Sequence, residues 1–152
     1  MSHESRLQEL GLTLPPARPA LYAYVPVVVE AGLAWVSGQL PWRGDVPLAM
    51  GRLGHNVDIE TGRACARLCA LHGLAALRAE LGSLDRVRRI VKVVGFVSSA
   101  PDFYDQAMVV DGASMLFGEV FGDAGRHARS AIGMAALPRN TPVEIEFVAA
   151  IG

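Results

Sequence analysis

The chain has two helical patterns, one on each side of an apolar strand, and together they limit the fold to a few architectures. Asp58 is a typical N-cap residue, and the apolar residues after it recur at helical spacing, which predicts a long helix over 59–81. Residues 88–97 are apolar on both faces, as in a strand that is covered on both sides. A second amphipathic helix is predicted over 101–121, with Pro101 in its first turn.

Further strands are predicted before and after this unit. Residues 22–29 and 33–39 are rich in β-branched and aromatic residues, and 40–57 form a long loop with room for a short third strand. After the second helix, two more strands are predicted at 127–132 and 143–146. The order strand, strand, helix, strand, helix, strand, strand predicts an α+β fold, with two helices on one face of a mixed sheet.

The balance of apolar and charged residues predicts an oligomer. Of the 152 residues, 51% are hydrophobic and only 19% are charged, and the second face of the sheet is left apolar without a helix to cover it. A length of 152 residues is enough for one domain. We expect that domain over 21–152, after an extension over 1–20 that holds a short helix.

Charge and hydropathy exclude several classes of partner. The net charge of −1 provides no field that would attract nucleic acid, so a nucleic-acid partner is not predicted. No apolar run approaches the roughly 20 residues of a membrane-spanning helix, so no membrane partner is expected either. The first residues are charged and lack the apolar core of a signal peptide, which predicts a cytoplasmic protein.

Two cysteines and a histidine lie at helical spacing. Cys65, Cys69 and His72 could in principle hold a metal ion from one helix face. Their spacing lacks the Cys-x-x-Cys knuckle of structural zinc sites, and two cysteines on one helical face seldom meet disulfide geometry. We therefore predict buried thiols, a hydrogen-bonded histidine and no metal site.

Charged residues in the two C-terminal strands need a reason in a chain that has few charges. Arg129 opens the first strand, and Glu144 and Glu146 lie on the second. If the two strands pair antiparallel, Arg129 and one glutamate come close together at a sheet end. A guanidinium beside a carboxylate is suited to bind a small carboxylate-bearing ligand. The alternative is an ion pair within the chain that only closes the sheet edge.

An ordered set of short motifs spans almost the whole chain. It starts with Tyr24 and Ser37-Gly38-Gln39-Leu40-Pro41. It continues with Leu84-Asp85-Arg86-Val87, Asp102-Phe103, His127-Ala128-Arg129-Ser130, Leu137-Pro138 and Val143-Glu144-Ile145-Glu146. In this order the motifs resemble those of the YjgF/RidA family, also called endoribonuclease L-PSP, from about residue 20 to the end. The Gly-Arg-Leu-Gly sequence at 51–54, inside the extended loop over 40–57, resembles one subgroup of that family.

The resemblance implies a chorismate-mutase-like α+β fold, a homotrimer and ligand clefts between subunits. Deaminase members of the family are hydrolases that convert 2-aminoacrylate-type enamines and imines to 2-keto acids and ammonia, without a metal or organic cofactor. By the same resemblance, Arg129 binds the substrate carboxylate and Glu144 positions or activates the attacking water. Tyr24 corresponds to a tyrosine that lines the cleft, although an aromatic residue in a subunit interface is an alternative for it.

Two positions depart from the family pattern. Asp111 stands in place of a cleft asparagine, and an anionic side chain there repels a carboxylate ligand unless it is protonated or paired. Ala131 replaces a reactive cysteine, which excludes thiol chemistry at that position. These departures favour a second hypothesis, a non-catalytic protein that binds small carboxylate metabolites in the same cleft. The alternative for Asp111 is a helix carboxylate paired with a neighbouring arginine. A ribonuclease, which the family name invites, ranks below both hypotheses.

Overall fold

The structure is a computed structural model that describes all 152 residues. Its helices are α1 (His3–Glu9), α2 (Ile59–Leu81) and α3 (Gln106–Phe121). Its strands are β1 (Val27–Glu30), β2 (Leu33–Gln39), β3 (Trp42–Arg43), β4 (Val46–Pro47), β5 (Val87–Ser98), β6 (Ala128–Met134) and β7 (Val143–Ile151). Short 3₁₀ turns lie at Leu84–Arg86, Gly122–Gly125 and Pro138–Asn140.

The main sheet is mixed, as predicted. Its strand order is β1-β2-β7-β5-β6, in which β5 and β6 are parallel and the other pairs are antiparallel. Strands β3 and β4 form a separate hairpin. Phe147 of β7 lies under Gly73 of α2, and its ring meets Phe117 of α3 edge-on at 5.0 Å. Both long helices therefore cover the same face, which confirms the α+β fold with two helices on one side.

The capping residues at its two ends define helix α2 over 59–81, as predicted. The side chain of Asp58 accepts a hydrogen bond from the Thr61 backbone N–H at 2.7 Å, which satisfies a free donor of the first turn. At the other end, Gly82 has a φ of 82°, the left-handed conformation that ends many helices.

Several predicted boundaries were wrong. Strand β6 covers 128–134 rather than 127–132, and β7 continues to Ile151 rather than ending at 146, because its second half pairs with β2 and β5. Strand β1 begins at Val27 rather than at residue 22, because Tyr22 and Tyr24 form a tight bend and Pro26 has no N–H for a sheet ladder. Helix α3 begins at Gln106 rather than at 101. The residues before it form a turn instead, held by the Gln106 amide, which donates to the Phe103 carbonyl at 2.8 Å.

The cysteines and the histidine of α2 are buried. Burial raises the pKa of Cys65 to about 11, so that this thiol stays protonated at neutral pH. His72 donates from Nε2 to the Trp42 carbonyl at 2.7 Å, as predicted for a hydrogen-bonded interior residue. No group of three or more His, Cys, Asp or Glu side chains is arranged to hold a metal ion.

The face of the sheet opposite the helices carries uncovered apolar side chains. Trp35 is 52% exposed, and Val28 and Ile132 on the same face are also exposed. This agrees with the expectation of an apolar face that the two helices leave open.

None of the helices combines the length and the apolar character that crossing a membrane requires.

Two glycines of α3 are expected to respond oppositely to alanine. A Cβ at Gly112 would overlap the backbone carbonyl of Arg63, so Gly112→Ala forces α2 and α3 apart and is expected to cost about 1–3 kcal/mol. Gly118 is exposed and has open space, so Gly118→Ala is expected to gain about 0.5–1 kcal/mol. Urea unfolding of both variants measures the difference. Equal effects would contradict close packing of the two helices at Gly112.

Candidate ligand-binding site

The predicted site residues lie in two groups on opposite faces of the sheet. Arg129 and Ala131 of β6 are on the face that α3 covers, together with Asp111 of that helix. Glu144 of β7 is on the open face and lines a pocket with Tyr24. We call the first set the arginine group and the second the glutamate pocket.

Three acceptors of α3 hold Arg129 in the arginine group. Its Nη1 donates to the Asp111 carboxylate at 2.6 Å and to the Ser114 hydroxyl at 3.1 Å. Its Nη2 donates to the Ala107 carbonyl at 3.3 Å. The alternative reading of Asp111, a helix carboxylate paired with an arginine, is therefore confirmed.

Arg129 nevertheless keeps donors for a ligand. A guanidinium has five N–H donors, and the three bonds to α3 leave the Nε–H and one Nη2–H without an acceptor. The Arg129 side chain is 23% exposed, so solvent or a ligand can reach it. Ala131 lies two residues further along β6, opposite Gly95 of β5, and packs on the core.

The expectation that Arg129 and a glutamate meet within one chain was wrong. Strand β5 lies between β6 and β7, so the two C-terminal strands do not pair. Arg129 is opposite Val93 and Glu144 is opposite Phe96, on the other face of the sheet. The alternative of an Arg129–Glu144 ion pair within the chain is wrong for the same reason.

The Glu144 carboxylate is unpartnered and partly buried. It makes no hydrogen bond or salt bridge within the chain, and it lies over Gly38, where a Cβ would overlap its Oε1. Burial raises the pKa of Glu144, and the nearby charge of Glu146 raises it further. A carboxylate in this state is a better proton acceptor than an ordinary surface glutamate.

Gly38 is the residue that lets the carboxylate approach β2. The register between β2 and β7 shifts between Val36 and Gln39, so the strand is irregular where Glu144 meets it. Because Gly38 has no side chain, the Glu144 carboxylate fits against β2 at this point.

The glutamate pocket has a volume of about 340 Å³ and aromatic walls. Tyr22, Tyr24 and Trp42 line it, and so do two residues that sequence reasoning missed, Arg18 and Arg139. For Arg139, one indication was present in the sequence, because it directly follows the Leu137-Pro138 motif. Arg18 offered none, since it lies in a proline-rich segment far from the motifs.

Comparison with known proteins places the chain in a family. The family described as "YjgF/chorismate mutase-like, putative endoribonuclease" matches residues 4–151. The chain belongs to this family, as its ordered motifs predicted.

Protein TCP17 of Trypanosoma cruzi is 45% identical over 144 residues, which cover 93% of this chain and 89% of TCP17. The crystal structure of Atu1372 from Agrobacterium tumefaciens, a protein of unknown function, has a TM-score of 0.91 and 44% identity, and the match covers 99% of this chain and 92% of that one. The structure of E. coli TdcF with bound serine has a TM-score of 0.61 and 26% identity, and the match covers 90% of this chain and 94% of that one.

Proposed function

We propose that this protein is a homotrimeric hydrolase that converts small 2-enamino and 2-imino acids to 2-keto acids and ammonia. Each cleft would combine the arginine group of one subunit with the glutamate pocket of its neighbour. The observation that carries the proposal is the unpartnered Glu144 carboxylate, with its raised pKa, in an aromatic-walled pocket.

The residues of the chain suit each step of the hydrolysis. The two free donors of Arg129 bind the substrate carboxylate and orient the imine carbon. Glu144 accepts a proton from water as the oxygen attacks that carbon, and the proton passes to the nitrogen. The carbinolamine hydroxyl then gives its proton, through Glu144, to the leaving nitrogen as the C–N bond breaks and the C=O bond forms, which releases ammonia and leaves the 2-keto acid. An enamine enters the same sequence after it tautomerises to the imine, with a proton gained at its β carbon and one lost from nitrogen. No step needs a metal ion or an organic cofactor.

A trimer is supported by the separation of the two groups. One chain holds them on opposite faces of its sheet, so a complete cleft needs a second chain. The uncovered apolar face with Trp35 and Val28 is a surface that association would bury. Serine in TdcF carries the carboxylate and amino nitrogen that the proposed substrates also carry, which supports this ligand class. Two free buried thiols, Cys65 and Cys69, support a reducing compartment such as the cytoplasm.

A non-catalytic carboxylate-binding protein is the second candidate. The Asp111–Arg129 ion pair favours it, because Asp111 already neutralises much of the charge that a substrate carboxylate would meet. Ala131 favours it as well, since no thiol is available there. This candidate shares the ligand class but lacks turnover.

Generating 2-aminoacrylate in situ separates the two candidates. Wild type is expected to accelerate formation of 2-keto acid above buffer, and Arg129→Ala to lose that acceleration. Because Glu144 acts in its ionised form, kcat/KM is expected to fall as pH drops through its raised pKa, and so at a higher pH than for an ordinary carboxyl.

Two other results would assign the protein to carboxylate binding without turnover or to RNA cleavage. If wild type is no faster than buffer but binds 2-ketobutyrate by calorimetry, the binding function stands and the hydrolase is excluded. Cleavage of single-stranded RNA that survives Arg129→Ala but not the loss of Arg88 and Arg89 would replace both with a ribonuclease.

A further inference from the structure

Two arginines flank one tryptophan in the glutamate pocket. The guanidinium carbon of Arg18 lies 4.6 Å from the centroid of the Trp42 ring, and that of Arg139 lies 6.0 Å from it. Both arginines line the pocket that contains Glu144. They come from distant parts of the chain, the proline-rich N-terminal segment and the turn before β7.

Neither arginine has an anionic partner. The four salt bridges of the chain use other arginines, and Arg18 donates only to the Gly44 carbonyl, at 2.9 Å. Arg139 makes no hydrogen bond from its side chain. Glu144 is not their partner either, since it forms no salt bridge with any arginine, and the raised pKa of its carboxyl agrees with that. The pocket therefore holds two cations whose donors are mostly unused.

The surrounding structure holds both arginines beside the ring. His72 anchors the Trp42 backbone from α2, and the Gly44 turn directs its carbonyl to Arg18. Arg139 has a φ of 60°, a left-handed conformation that is uncommon for a residue other than glycine. Such strain persists where the surrounding structure enforces it, often at ligand sites. The next residue, Asn140, also has a positive φ, and its carbonyl accepts the Gly51 N–H at 2.8 Å, which ties the turn to the long loop.

We propose that Arg18 and Arg139 bind a second anionic group of the substrate, which is then a 2-imino acid with an anionic side chain. This inference rests on the proposed function, in which Arg129 of the neighbouring subunit binds the first carboxylate. The planar fork of guanidinium N–H donors matches the geometry of carboxylate and of phosphate oxygens. Stacking of the guanidinium on an aromatic ring leaves these donors free for a ligand. A cavity of about 340 Å³ is large enough for more than a three-carbon acid.

Calorimetry with product-like 2-keto acids tests the inference. Wild type is expected to bind 2-ketoglutarate about 10-fold more tightly than 2-ketobutyrate, because only the former has a second carboxylate. Arg18→Ala and Arg139→Ala are each expected to remove most of that preference, measured for each variant as the ratio of its dissociation constants for the two acids. Arg43→Ala is the matched control, an exposed arginine next to Trp42 that does not line the pocket.

The outcomes separate this inference from the proposed function. Binding of 2-ketobutyrate without a preference for 2-ketoglutarate, or a preference that both arginine variants keep, overturns only the second anionic site. If wild type binds neither acid and also fails to accelerate 2-aminoacrylate hydrolysis, both proposals are overturned; if it binds neither acid but accelerates the hydrolysis, only the second anionic site is overturned. A third ligand, 3-phosphonopyruvate, distinguishes the source of the anion: tighter binding than 2-ketoglutarate assigns the site to a phosphate group, and weaker binding assigns it to a carboxylate. Circular dichroism of each variant confirms that it is folded.

Discussion

If the proposed trimeric hydrolase is right, mixed trimers of Arg129→Ala and Glu144→Gln subunits are expected to regain activity that neither variant has alone. Each single variant is expected to lose at least about 100-fold in kcat/KM, because it lacks either the carboxylate-binding or the proton-accepting group. In the proposed arrangement, one cleft of a mixed trimer would receive Arg129 from one subunit and Glu144 from another, and would be complete. Random assembly of equal amounts then restores about a quarter of the wild-type clefts.

The experiment uses coexpression of the two variants with different tags, tandem purification and the 2-aminoacrylate assay. Each variant coexpressed with itself is the control, and native mass measurement establishes that mixed oligomers form. Mixed oligomers without recovered activity would contradict a cleft shared between subunits. The physical basis of the expectation is the sheet, which separates Arg129 from Glu144 by face and by strand β5.

Asp111→Asn is expected to tighten binding of small carboxylates about 10-fold. The Asp111 carboxylate lies 2.6 Å from Nη1 of Arg129 and opposes the negative charge of a ligand at the same guanidinium. Asparagine keeps the size and the acceptor oxygen but removes the charge. The pair is partly exposed, with 47% of the Asp111 side chain accessible, so its loss is expected to cost only about 0–1 kcal/mol of stability.

Calorimetric titration with 2-ketobutyrate measures this effect, and the gain is expected to shrink as salt rises. Asp105→Asn is the matched control, because Asp105 flanks the same helix and its loss changes the net charge equally without touching Arg129. Unchanged or weaker binding by Asp111→Asn would show that Asp111 positions Arg129 for the ligand and does not compete with it.

Features defined by neighbouring residues were predictable from the sequence. The bounds of α2 follow from Asp58 and Gly82, since caps act within one turn of the helix end. Strand β2 was predicted with its observed bounds, 33–39. Glu144 and Tyr24 were selected by the family resemblance, and the structure brings both to one pocket. The wrongly predicted starts of β1 and α3 lie next to prolines, whose effect depends on the turn that forms there, and the full length of β7 depends on pairing with β2 and β5.

Caps, periodicity and motif order are local or linear properties of the chain, so both long helices, the apolar open face and the family could be predicted from the sequence. The remaining features depend on packing between distant segments. Strand β5 enters between β6 and β7 because sheet order depends on pairing between distant segments, and that order separates Arg129 from Glu144. The same long-range packing selects Arg129 as the arginine that pairs with Asp111, and it brings Arg18 and Arg139 to Trp42. No spacing in the sequence indicates which of these residues meet.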